Sequence, residues 1–183
     1  VSVGNETMVS WSFNRSTPEQ MAAYLKQVRD QILQPVTTDD NYAFFASAPT
    51  NVLNTIDFVS LHTYTELDTV FDVGLWDWQQ RDKPAAQRAA AMMDASIVEA
   101  KRQYDLARAR LDSGGYRNMP ITIGETGWNA VDLGTLSFRA HPVNQKMYFD
   151  GLLDWVDKTK NPNGPVAIFY FEAFDEPWKL GDD

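Results

Sequence analysis

The chain has 183 residues, 44% hydrophobic and 22% charged, which fits a single globular domain spanning residues 1–183. It contains no cysteine, which excludes disulfides and any cysteine-based nucleophile or metal site. With 16 Lys and Arg against 25 Asp and Glu, its formal net charge is -9. That charge argues against a nucleic-acid partner or an anionic membrane, and no apolar stretch is long enough to span a bilayer.

Strands alternate with helices along the chain, which predicts a parallel sheet of βαβ units. The predicted elements are a strand over 1–4, a helix from Thr17 to Pro35, a strand over 36–45 interrupted by a turn at 39–41, one or two helical turns over 49–54, a strand over 56–64, a loop over 65–83, a helix over 84–111, a strand over 120–124, a helix over 143–157 and a strand over 166–171. The chain starts with Val1 at a strand end, so we expect an excerpt of a longer protein or a processed chain.

Polar side chains follow most of these strands. The first strand ends in Gly4-Asn5-Glu6, the third in His62-Thr63-Tyr64, the fourth in Gly124-Glu125 and the fifth in a segment from Glu172 to Glu176. In parallel α/β folds the carboxyl ends of the strands carry the chemistry. The pattern therefore predicts an active site with carboxylates on one rim.

Paired carboxylates with aromatic walls are what glycoside hydrolysis requires, because one acid protonates the leaving oxygen while a carboxylate attacks or supports the sugar. Aromatic rings give sugars flat apolar platforms, and Trp76 lies in a loop long enough to be functional. Any one of these acids taken alone is more often a solvated strand-end residue or a charge at a helix N-terminus, and three of them together weaken that interpretation. A metal site is disfavoured, since the chain has two histidines and neither stands at ligand spacing with an acid.

Several segments in chain order resemble the motifs of glycoside hydrolase family 17, which comprises β-1,3-glucanases and related glucanosyltransferases. They are Val3-Gly4-Asn5-Glu6, Pro35 to Tyr42, Asp57 to Tyr64, Ile123 to Trp128 and Phe171 to Lys179. The chain is similar to the bacterial branch of this family. The resemblance implies a (β/α)₈ barrel and a retaining mechanism on β-1,3-glucan that needs neither cofactor nor metal. It also favours an extracytoplasmic setting, in a bacterial envelope or secreted.

The resemblance implies a role for each site residue. Glu6 takes the position of the acid/base and Glu125 that of the nucleophile. The supporting residues are Asn5, Glu172, Glu176 and Lys179, and the substrate-binding residues are His62, Tyr64, Trp76, Trp128 and Trp178. Retention requires the two catalytic carboxyl groups to lie about 5 Å apart, so we expect Glu6 to hold the proton before attack.

The resemblance covers barrel strands four to eight only, so the fold class we predict is a partial TIM-type (β/α) barrel of five parallel strands and four helices. Such a sheet cannot close on itself, and its exposed edges are a liability in a monomer. We expect a homodimer that closes the barrel by setting two open sheets together. The alternative is that another chain, or an upstream part of the protein, supplies the missing units.

The predicted function is thus hydrolysis of β-1,3-glucan through a covalent glycosyl-enzyme intermediate. Two alternatives stay open. One is β-1,3-glucanosyl transfer, since retention is compatible with both outcomes. The other is a catalytically weak carbohydrate-binding half-barrel that keeps its aromatic platforms.

Overall fold

The computed structural model describes residues 1–131, 139–172 and 174. The strands in chain order are β1 (Ser2–Asn5), β2 (Thr37–Asn41), β3 (Val59–His62), β4 (Ile121–Thr126) and β5 (Ile168–Tyr170). The helices are α1 (Pro18–Arg29), α2 (Tyr42–Phe45), α3 (Thr50–Leu53), α4 (Asp68–Phe71), α5 (Arg88–Ser113) and α6 (Pro142–Val156), with a 3₁₀ turn at Ala85–Gln87.

The strands form one sheet whose order, β1-β2-β3-β4-β5, follows the chain. β1 pairs with β2 and β2 with β3 in parallel, which sets Asp39 opposite Ser60 and Asn41 opposite His62. Helices link successive strands, as parallel pairing requires. The predicted alternation of parallel strands and helices is therefore confirmed.

The long helices begin where capping residues predict them. At α1 the Thr17 hydroxyl accepts the Gln20 amide while the Gln20 side chain accepts the Thr17 amide, a complete capping box with Pro18 in the first turn. At α6 the His141 ring accepts the Val143 amide. The end of α1 differs from the prediction, because the helix stops at Arg29 rather than near Pro35.

The second strand is the main local difference. Residues 39–41 are the end of β2 rather than a turn, and the predicted strand residues after them form α2. The cause is Asn41, whose side-chain oxygen accepts the Ala43 amide and so caps a new helix directly after the strand. The predicted loop over 65–83 likewise contains α4.

The chain divides into two compact units, each with its own apolar interior. The first comprises Val1–Thr63, Gln103–Gly124 and Pro165–Ala167, and the second the described parts of Tyr64–Arg102, Glu125–Gly164 and Ile168–Asp183. The largest buried side chains of the first unit are Met21, Leu25, Phe45, Leu53, Leu61, Leu111, Ile121 and Ile123. Those of the second are Trp128, Tyr148 and Leu152. We name them the Glu6 unit and the Glu125 unit after the glutamate that each carries.

Helix packing in the Glu125 unit is close at Gly151 of α6. A Cβ atom at this glycine would lie 2.7 Å from the side chain of Ile97 on α5, so the two helices approach where no side chain intervenes. Among the described residues, no helix is both long and apolar enough to cross a membrane.

Candidate active site

Glu6 follows β1 in a conformation that ordinary residues rarely adopt. Its φ angle is 46°, in the left-handed region, which costs a residue other than glycine roughly 1 kcal/mol or more. Its amide donates to the Asp39 carbonyl of β2 at 2.9 Å, and its carboxylate lies 3.1 Å from Nδ1 of His62. The kink therefore turns the half-buried carboxylate towards the end of β3.

The surroundings of Glu6 favour its ionised form. Burial raises the pKa of Glu6, but the hydrogen bond and charge of His62, with hydrogen bonds from Trp11 and Asn41, outweigh burial and hold the pKa below its ordinary value. Because His62 is fully buried, its bond to Glu6 is shielded from water. The expectation that Glu6 holds the proton before attack therefore requires a change in these surroundings when substrate binds.

Asp40 is a second carboxylate beside Glu6, and the sequence pattern had placed it in a turn at 39–41. Its side chain is fully buried, and its two oxygens accept the amides of Met8 and Asn41, each at 2.8 Å. Burial, with a smaller contribution from the charge of Glu6, raises the pKa of Asp40 to about 6, and the two amide bonds and His62 keep that rise from being larger. Its position at the carboxyl end of β2 was the available signal, which a correct strand boundary would have revealed.

Trp11 is a further residue that the prediction did not assign to the site. It hydrogen-bonds the Glu6 side chain, and 57% of its surface is exposed. An indole held by its N–H with its ring in solvent is a suitable sugar platform. Its place five residues after Glu6 was the only sequence signal for this role.

In the Glu125 unit, Glu125 lies near the end of β4 and accepts a hydrogen bond from the Tyr64 phenol at 2.6 Å. The Tyr64 ring meets Phe171 edge to face, with 6.3 Å between ring centroids. Gly127 allows the backbone of Phe171 to approach closely, because a Cβ atom at Gly127 would lie 1.6 Å from the Phe171 carbonyl oxygen. The structure therefore brings two of the predicted residues, Tyr64 and Glu125, into direct contact.

Trp128 is part of the interior of the Glu125 unit. It is 2% exposed, its indole N–H donates to the Arg139 carbonyl at 2.9 Å, and its ring packs on Tyr148. The prediction that Trp128 binds substrate is therefore wrong, because no face of the ring is open to a sugar. Tyr148 in turn hydrogen-bonds Thr126 of β4 at 2.8 Å.

The long loop after β3 is fastened by its polar atoms. The indole N–H of Trp76 donates to the Thr65 carbonyl at 2.8 Å, which anchors a half-buried ring. Glu66 is buried and accepts the Asn129 amide at 2.7 Å, so it ties this loop to the segment after β4. The Arg139 guanidinium stacks 4.4 Å from the ring centre of Trp78.

The remaining predicted residues divide into two groups. Asn5 is exposed at the end of β1, and Glu172 is half-buried after β5. Glu176, Trp178 and Lys179 lie outside the described residues. Within the described part of the chain, no three His, Asp or Glu side chains stand together as metal ligands.

Parallel strands that alternate with helices and carry carboxylates at their carboxyl ends define half of a TIM-type (β/α)₈ barrel, as the sequence predicted. Solved structures agree. An endo-laminarinase from Formosa Hel1_33_131 matches the whole chain with a TM-score of 0.85 at 25% identity. A glycoside hydrolase family 17 β-1,3-glucanosyltransferase from Rhizomucor miehei matches 98% of the chain in fold, with a TM-score of 0.62 at 24% identity.

The sequence comparison points to the same group of enzymes. The whole chain is 27% identical, over 197 aligned residues, to a glucan 1,3-beta-glucosidase of Arthroderma benhamiae. No protein-family model matches the chain. The resemblance to enzymes named for β-1,3-glucan is thus confirmed.

The chain is much shorter than these relatives. It spans 53% of the Arthroderma protein, 50% of the Formosa enzyme and 55% of the Rhizomucor enzyme. The similarity therefore concerns about half of each relative.

Proposed function

We propose that this chain carries the catalytic half of a retaining glycoside hydrolase of family 17 that acts on β-1,3-glucan. The observation that carries the proposal is that each strand-end glutamate has its own hydrogen-bond partner: His62 for Glu6 and Tyr64 for Glu125. Both partners belong to the segment at the end of β3, where the family motif places functional residues.

In the first step, the Glu125 carboxylate attacks the anomeric carbon while Glu6 gives its proton to the glycosidic oxygen, so the leaving sugar departs as an alcohol. In the second step, Glu6 takes a proton from the incoming hydroxyl as that oxygen attacks the anomeric carbon, and the bond to Glu125 breaks. Tyr64 orients the nucleophile through its hydrogen bond. The mechanism requires the two carboxyl groups to approach to about 5 Å.

Glu6 must be protonated before the first step, whereas the site without substrate favours its carboxylate form. A sugar that covers the rim removes water from Glu6, and the loss of hydration raises the pKa of a carboxyl group. Substrate binding therefore loads the acid. Family resemblance assigns Glu176 and Lys179 to the support of Glu125, and Trp178, Trp76 and the exposed ring of Trp11 to the sugar.

The incoming hydroxyl decides between hydrolysis and transfer, because water gives hydrolysis and a second sugar gives glucanosyl transfer. Hydrolysis is the activity we propose, since the structural match with the higher TM-score is an endo-laminarinase. We also propose that the protein acts outside the cytoplasm, where glucan polymers are met.

Completion of the barrel is part of the proposal. The chain spans about half of its relatives, and the residues of the edge strand β1 are mostly exposed. We propose that a second copy covers this edge in a homodimer, which makes stability rise with protein concentration. Sedimentation equilibrium tests this directly, since a well-folded 20.7 kDa monomer at all concentrations would contradict it.

The test of function is the digestion of laminarin by the purified chain, with products resolved by length and with the anomer of the first product read by NMR. Glu125→Ala protein from the same preparation excludes a contaminating enzyme. A retained anomer, with activity lost in Glu125→Ala, supports the proposal. Laminari-oligosaccharide binding without turnover would favour the carbohydrate-binding half-barrel instead.

A further inference from the structure

The segment that carries Glu6 is fastened to β2 at two points. On one side, the Glu6 amide donates to the Asp39 carbonyl at 2.9 Å. On the other, the Met8 amide donates to the Asp40 carboxylate at 2.8 Å. Glu6 itself lies between these bonds with a left-handed φ of 46°. These two bonds therefore hold the unfavourable turn at Glu6 like a clamp. One acceptor is a backbone carbonyl, and the other is the Asp40 side chain.

Asp40 is well placed to act as a rigid clamp. It is fully buried on β2, with Leu61 of β3 opposite it in the sheet, and its second oxygen accepts the Asn41 amide at 2.8 Å. The next residue, Asn41, hydrogen-bonds Glu6 through its side chain. A shift of Asp40 would therefore move both the backbone after Glu6 and a donor to its carboxylate.

The position of Glu6 also decides which groups act on its carboxylate. The charged side chains acting on Asp40 come from the two segments beside β2: Glu6 after β1 and His62 at the end of β3. His62 and the side chain of Asn41 both favour the ionised form of Glu6. A shift of the segment that Asp40 holds would therefore take Glu6 away from groups that lower its pKa.

We propose that Asp40 is the positioning residue of the acid/base: its side chain clamps the Met8 amide so that Glu6 faces His62. This inference rests on the proposed function for the role of Glu6. It differs from that proposal in assigning a task to a carboxylate that does not touch the sugar.

Asp40→Asn is the decisive variant, because the asparagine side chain has one oxygen for two amides and no charge. Asp39→Asn is the matched control, since it removes the same charge one residue earlier, while the Asp39 contact with Glu6 is made by the backbone carbonyl. We would measure kcat and KM on laminari-oligosaccharides from pH 4 to 8.5. In parallel, ¹³C NMR would follow the Glu6 carboxyl group, assigned by its loss in Glu6→Gln.

For Asp40→Asn we expect kcat to fall about tenfold or more with KM within about twofold, because a displaced acid affects the transition state rather than binding. We also expect the alkaline limb of the pH profile, and the Glu6 titration, to move to higher pH by roughly half a unit or more, because a displaced Glu6 loses the contacts with His62 and Asn41 that lower its pKa. Asp39→Asn should leave all three near wild type. Equal behaviour of the two variants would overturn the proposal.

Two further outcomes are decided by the NMR measurement. If the wild-type chain turns over no glucan, the proposed function fails, but a Glu6 titration that shifts in Asp40→Asn and not in Asp39→Asn upholds the positioning role. If Asp40→Asn does not fold, the wild-type Glu6 signal must show a second inflection near pH 6, where Asp40 titrates. The absence of that inflection would overturn the inference.

Discussion

The Glu6 and Glu125 units hold their glutamates in different ways. Glu6 is surrounded by groups that carry or change charge, with His62 at 3.1 Å and the buried carboxylate of Asp40 nearby. Glu125 instead accepts a bond from the neutral phenol of Tyr64, at 2.6 Å, against the ring of Phe171. The first arrangement makes protonation adjustable, and the second fixes orientation.

This difference matches what the proposed retaining mechanism requires of two chemically identical side chains. The acid/base must gain and lose a proton in each cycle, so opposing charges that balance its pKa are useful. A nucleophile must be correctly aimed, and a short hydrogen bond such as that from Tyr64 to Glu125 orients a carboxylate. The comparison predicts that changes in the Glu6 unit alter pH dependence, whereas changes in the Glu125 unit alter rate alone.

The largest effect is expected for Glu125→Gln. An amide of the same shape cannot form the glycosyl ester, so kcat should fall about 10⁴-fold or more while the fold is kept. Steady-state kinetics on laminarin measure the loss, and circular dichroism measures the fold. Glu19→Gln, at an exposed position in the first turn of α1, is the matched control and should be fully active. Near wild-type hydrolysis by Glu125→Gln would remove the nucleophile assignment.

The second effect is on stability and belongs to the Glu6 unit. Because the folded chain raises the pKa of Asp40 from 3.8 to about 6, the folded state binds this proton more tightly than the unfolded state. The stability contributed by that proton is fully present below pH 3.8 and is lost as the pH rises through 6. We expect the free energy of unfolding of wild type relative to Asp40→Asn to fall by about 2 to 3 kcal/mol between pH 4 and 8.

Urea unfolding at several pH values measures this difference, and Asp39→Asn again serves as the control. A constant gap between wild type and Asp40→Asn across the pH range would mean that Asp40 titrates alike in both states. Burial of Asp40 would then have no effect on how the free energy of unfolding depends on pH. The Glu6 unit would lose one of the titratable groups that distinguish it from the Glu125 unit.

The sequence was sufficient for much of the fold because its signals are local. Thr17 and Pro18 start α1 through a cap that the structure contains in full, and Gly115, with a φ of 88°, follows the end of α5 as a left-handed residue should. The strand boundaries placed Glu6 directly after β1 and Glu125 near the end of β4, where the structure has them.

The wrong predictions have a different cause. Whether Asp40 and Trp128 are buried depends on residues that are distant in the sequence. Asp and Asn are poor strand formers, so residues 39–41 were interpreted as a turn. The Met8 amide, 32 residues away, is what makes a buried Asp40 acceptable within β2. Trp128 was assigned to the sugar because nothing local shows that Tyr148 covers its ring.

The third prediction concerns His62→Phe, which keeps a ring but removes the hydrogen bond and charge that lower the pKa of Glu6. The pKa of Glu6 should rise, so the alkaline limb of activity should move to higher pH, in the same direction as the shift expected for Asp40→Asn. We expect kcat to fall about 10- to 100-fold, because the acid loses its orienting partner. His141→Asn, which changes the other histidine and keeps a capping oxygen, is the control. A limb that moves to lower pH would contradict the role given to His62.

The smallest effect is expected for Tyr64→Phe in the Glu125 unit. This change removes one hydrogen bond to a carboxylate and leaves the ring against Phe171 in place. Part of the loss is offset, because a carboxylate that gives up a donor becomes a better nucleophile even as its aim loosens. We therefore expect kcat/KM to fall about tenfold, which corresponds to about 1.4 kcal/mol and lies near the lower limit for a hydrogen bond to a charged group. The pH profile should keep its alkaline limb, since Glu6 is untouched.

Tyr24→Phe removes an equivalent hydroxyl from an exposed site on α1 and should change nothing. If Tyr64→Phe instead moved the alkaline limb as far as His62→Phe does, Tyr64 would govern the proton on Glu6, and the two glutamates would not be held by separate means.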